Sequence, residues 1–60
     1  MITRIDVIEV ANQIGKSLTE SDIDEVLAQY PNEQDNDPTA TWNLVVENCI
    51  YNVENEKDHE

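Results

Sequence analysis

The chain has 60 residues, of which 14 are acidic and 3 basic, giving a net charge of −11, and 38% of them are hydrophobic. That length allows one domain with a small core, whose net stability is roughly 3–5 kcal/mol, and no deep substrate cavity. The charge repels DNA, RNA and anionic membranes, and favours solubility and a basic protein partner.

No apolar run approaches the roughly 20 residues that cross a bilayer. The opening Ile2-Thr3-Arg4-Ile5-Asp6-Val7 breaks its apolar residues with charge, unlike the apolar core of a signal peptide. A cytoplasmic protein with no membrane contact is the expectation. The single cysteine cannot form an internal disulfide, so packing alone must hold the fold.

In chain order, the first helix is expected at about 4–14. Thr3 is the N-cap and Asp6 answers it, as in a capping box, while Ile2 and Val7 take the places of a hydrophobic staple. Val7, Val10, Ala11 and Ile14 form its apolar stripe, with Ile8 on the flank. Gly15, the only glycine, suits the left-handed residue that ends a helix, and Lys16 suits the negative end of its dipole.

The order apolar-Thr-x-x-Asp-apolar returns at Leu18-Thr19-Glu20-Ser21-Asp22-Ile23. It starts a second helix, about 20–30, with Ile23, Val26, Leu27 and Tyr30 as its stripe. Pro31 is expected to stop it, because the residue before a proline is pushed out of helical geometry. Glu20, Asp22, Asp24 and Glu25 are assigned to its outer side. Asn32 to Asp37 is polar throughout and reads as a loop.

Asp37 as N-cap and Pro38 at the first position open a third helix, about 38–53. Trp42, Val45, Val46, Cys49, Ile50 and Val53 fall at steps of three and four on one face. Trp42 is expected to be the largest core side chain, costing roughly 3–5 kcal/mol when cut to Ala. Residues 1–53 are thus one three-helix domain, all-α, as a bundle or a related orthogonal arrangement. Residues 54–60, ENEKDHE, have no apolar member and read as a frayed helix end or an acidic tail.

No set of residues points to catalysis or to a cofactor. A nucleophile needs a base beside it, and the only histidine, His59, is in the presumed tail while Cys49 is on the apolar face. Asp35, Asp37 and Thr39 alternate like the start of a calcium loop, but its sixth and twelfth positions hold Ala40 and Val46 instead of Gly and Glu. No metal site is assigned. Direct nucleic-acid binding is set aside, because the second helix is acidic outside and the third carries no basic residue within 38–53.

Two features remain. Leu44 and Tyr51, seven apart with Asn48 beside them, point away from the core face of the third helix. They form a candidate protein-contact strip, which Ile5 would extend. Glu20, Asp22, Asp24, Glu25 and Glu47 form a candidate acidic surface. A weak homodimer through Leu44 and Tyr51 stands beside a monomer.

Asp37-Pro38-Thr39-Ala40-Thr41-Trp42, followed by Val45-Val46-Glu47, resembles short acidic proteins of bacterial phages and mobile elements, and the resemblance extends to Leu18–Tyr30. It implies an accessory protein that binds a host or element-encoded protein, and it brings no activity or site residue. The expected function is therefore a non-enzymatic protein-binding module. The alternative is a DNA-mimic inhibitor of a nuclease or nucleic-acid-binding protein, its carboxylates standing in for phosphates.

Self-repulsion at −11 yields one measurable expectation. The thermal unfolding midpoint should rise from low-salt buffer to about 0.5 M NaCl, as screening shortens the reach of each charge. A midpoint that stays level or falls contradicts this.

Overall fold

The computed structural model describes residues 2–58, with side chains as far as residue 56. Three helices follow in order: α1 (Arg4–Gln13), α2 (Glu20–Asn36) and α3 (Trp42–Asp58). No strand occurs among the described residues. Each helix packs on both others, and the largest contact is between α2 and α3. The architecture is a small all-α three-helix bundle, 31 × 23 × 17 Å.

The starts of α1 and α2 are chemically alike. The Thr3 hydroxyl accepts from the Asp6 N–H, and the Asp6 carboxylate accepts from the Thr3 N–H at 2.9 Å. Thr19 and Asp22 repeat both bonds, at 3.2 and 3.0 Å. Each box satisfies donors that a helix start leaves without partners. Ile2 and Leu18, one residue before each cap, lean on the core beside the buried Val7 and Ile23.

Gly15 ends α1 with φ +73°. Its N–H donates to the Asn12 carbonyl at 3.2 Å, and the Lys16 N–H reaches back to the Ala11 carbonyl at 2.8 Å. These are the two bonds of a Schellman motif. A Cβ at Gly15 would meet nothing within 4 Å, so only the left-handed backbone demands glycine there.

Three expected boundaries need correction. Pro31 does not stop α2, which runs on to Asn36 with Pro31 inside it. Pro31 is exposed, so its ring intrudes on no packed surface, although it has no N–H to offer the Leu27 carbonyl. Tertiary and side-chain bonds hold the turns beyond it. Asn52 donates to Glu33 at 3.3 Å, the Tyr30 hydroxyl to Gln34 at 2.9 Å, and Gln34 to the carbonyls of Asp37 and Ala40. Most of the expected 32–37 loop is therefore helix.

Asp37 is the C-cap of α2, not the N-cap of α3, and its N–H donates to the Glu33 carbonyl. Residues 38–40 turn, and α3 begins at Trp42. The Thr41 carbonyl accepts from the Val45 N–H at 3.2 Å, the first bond of the new helix. At the other end α3 continues to Asp58, so residues 54–58 are helical rather than a tail. His59 and the last tail residue lie outside the described residues.

The core is made of small side chains: Val7, Val10, Ala11, Ile23, Val26, Val45, Val46, Cys49, Ile50 and Val53. Ile50 is the largest of the fully buried ones. The expectation of a tryptophan core fails, because Trp42 is 44% exposed. It shares the helical phase of Val46, Cys49 and Val53. As the first residue of α3, however, it stands at the rim of the bundle, beside Ile2, Asp6 and Tyr30.

The stability cost should follow this burial. Ile50→Ala should lose about 2–5 kcal/mol in urea unfolding, as a cavity-forming change in a packed core does. Trp42→Ala should lose less than half as much. Equal losses would put the indole in the core.

Candidate protein-contact surface

The outward face of α3 follows from its inward one. Because Val45, Val46, Cys49, Ile50 and Val53 are buried, Leu44, Asn48, Tyr51 and Asn55 must point the other way, and all four are exposed. Leu44 is 50% exposed and Tyr51 42%. The four share one side of the helix by their spacing of three and four, and none of them is charged.

Lys16 fixes one edge of this strip. Its ammonium lies 5.9 Å from the Tyr51 ring centroid and 3.0 Å from the Glu54 carboxylate. The turn after α1 is thereby tied to α3, and the Tyr51 ring is held beneath a cation. Ile5, expected to extend the strip, is 67% exposed but sits on α1.

The candidate acidic surface divides. Asp22 is not on the surface: it is 4% exposed, and its carboxylate accepts from the Thr19 N–H in the α2 capping box. Arg4 gathers Glu20 and Asp24, at 2.8 Å from Glu20 and in a close ion pair with Asp24. The Arg4 pKa is raised, first by the hydrogen bond to Asp24. Glu25 is exposed and accepts from Gln29 at 3.4 Å, and Glu47 is half-buried. The residues assigned to one acidic face are thus a helix cap, an α1–α2 clamp and two separate carboxylates.

A shallow polar groove of about 560 Å³ runs between α2 and α3, lined by Gln29, Asn32, Glu33, Asn52, Asn55 and Glu56. Two of the three lining residues from α2, Asn32 and Glu33, are helical only because α2 continues past Pro31, so reading the sequence with a stop at Pro31 hides the groove. Through Asn55 it adjoins the α3 strip.

Cys49 is fully buried in the core. Burial pushes its thiol up to about 11, and the Glu33 carboxylate pushes the same way. The neutral thiol is a small apolar group, with little thiolate at neutral pH to act as a nucleophile or ligand. Among the described residues no group of three or more His, Cys, Asp or Glu side chains is placed to hold a metal ion. None of the described helices is long and apolar enough to cross a membrane.

The chain matches no protein-family model, and comparison with curated proteins and with solved structures gives no significant similarity.

The thiol makes stability depend on alkaline pH. The unfolded chain releases the Cys49 proton near the ordinary value of 9.0, whereas the folded chain holds it to about 11. The resulting stability is complete below the lower value and is lost as pH rises toward the higher one. Urea unfolding of wild type and Cys49→Ala between about pH 8 and about pH 11 should show a steeper decline for wild type. Parallel declines would contradict the raised thiol.

Proposed function

We propose that this protein is a non-enzymatic accessory module that binds another protein through the outer face of α3. One observation carries the reading: on a chain with 14 acidic residues, Leu44, Asn48, Tyr51 and Asn55 make an exposed face with no charge of its own. Apolar and amide groups without carboxylates among them can be desolvated by a partner at little electrostatic cost. The high negative charge elsewhere speeds encounter with a basic partner and discourages like-charged neighbours. The same charge opposes self-association, so a monomer with a heterologous partner fits better than a homodimer. The resemblance of residues 37–47 to short acidic proteins of bacterial phages and mobile elements is in keeping with this reading.

The second reading, a DNA-mimic inhibitor, has less support. Mimicry needs carboxylates in rows and free to meet basic groups. Asp22 is buried, and Glu20 and Asp24 are already shared with Arg4.

Capture from the native cell with wild type and with Leu44→Ser plus Tyr51→Ser separates these readings. The double variant should stay folded by circular dichroism and lose the captured protein. An unchanged bound set with intact folding removes the α3 face as the interface. Binding that survives the double variant but collapses at moderate salt supports the inhibitor instead.

A further inference from the structure

Ile2, Asp6, Tyr30 and Trp42 line a cavity of about 380 Å³ where the start of α1, the middle of α2 and the start of α3 meet. They are far apart in sequence and come together only through the packing of all three helices. The cavity pairs two aromatic side chains with a carboxylate. Trp42, the only tryptophan, is half-exposed at this site although its helical phase matches that of the core residues.

Two of the lining groups are fixed before any ligand arrives. The Tyr30 hydroxyl donates to Gln34 Oε1 at 2.9 Å, which sets the ring. Asp6 accepts from the Thr3 N–H at 2.9 Å and from the Thr3 hydroxyl at 3.3 Å, both on Oδ2. Oδ1 accepts no bond among the described residues and can receive one from a ligand. The two basic side chains described, Arg4 and Lys16, are engaged with Glu20 and Asp24 and with Glu54. Neither lines this cavity.

We propose that this cavity receives an arginine side chain of a protein partner. A guanidinium is planar, stacks on indole and phenol faces, and presents a fork of donors to a carboxylate. Arg therefore matches the Trp42, Tyr30 and Asp6 set better than the compact, strongly hydrated ammonium of lysine. The net charge of −11 draws the cation in, and Ile2 supplies an apolar wall against its methylene stem. The site is separate from the Leu44/Tyr51 face, and either can fail without the other.

The test uses the full chain and two blocked tripeptides, acetyl-Gly-Arg-Gly-amide and the same peptide with citrulline, the uncharged isostere of arginine. The Trp42 indole N–H resonance and Trp42 fluorescence report directly, since there is no second tryptophan. The arginine peptide should give a saturable shift, and the citrulline peptide should bind about tenfold more weakly or not at all. Asp6→Asn, which keeps an acceptor for the Thr3 cap, should weaken the arginine response. Tyr30→Leu should weaken it too, and leaves the cap untouched should Asp6→Asn unfold. Leu44→Ser plus Tyr51→Ser should leave the titration unchanged. No saturable response, equal responses to the two peptides, or full responses in folded Asp6→Asn and Tyr30→Leu overturn the proposal.

Discussion

The bundle depends on closing ten small side chains off from water between three helices. Six of them are valine, and apart from Ile23 and Ile50 the others are no larger. Small side chains let helix axes approach closely, but each removes less apolar surface from water than a leucine or an aromatic would. Such a core is thin, and Trp42, 44% exposed, lies outside it. A thin core also makes the helix ends matter, since each capping box contributes of the order of 1 kcal/mol to a small total.

Charge is handled by the same economy of parts. With so few basic residues, both of those described join separate elements. Arg4 connects α1 to the first turn of α2, and Lys16 connects the α1–α2 turn to α3 through Glu54 and Tyr51. Exposed pairs of this kind are individually weak. Their larger effect is to offset the charge of Glu20, Asp24 and Glu54 on a self-repelling surface. What remains uncharged and exposed, the outer face of α3, is where contact with another molecule costs least.

How much could be read from the sequence varied with how local the determining interaction was. The two Thr-x-x-Asp starts, the Gly15 stop and the core-facing stripe of residues 45–53 were all legible, because each rests on groups within four or five positions. The exposure of Leu44, Asn48 and Tyr51 followed from that stripe. The polar groove and the Trp42 cavity were not legible, since their walls come from residues on different helices. Asp22 was legible as a capping residue but wrongly placed on the outer surface, because its burial is set by the tertiary packing.

The amino-acid order alone therefore determined three amphipathic helices, two of their starts, one of their ends and a strongly acidic exterior. The tertiary structure alone decided that α2 passes through Pro31, that Asp37 closes a helix instead of opening one, and that Trp42 faces a cavity. The first two share a cause. Local rules compare a helical turn with isolated chain in water, but Glu33 and Gln34 gain partners on α3 and the turn before it. Those bonds exist only once the helices have met, and they add to the packing of α2 on α3 in holding the turn beyond Pro31.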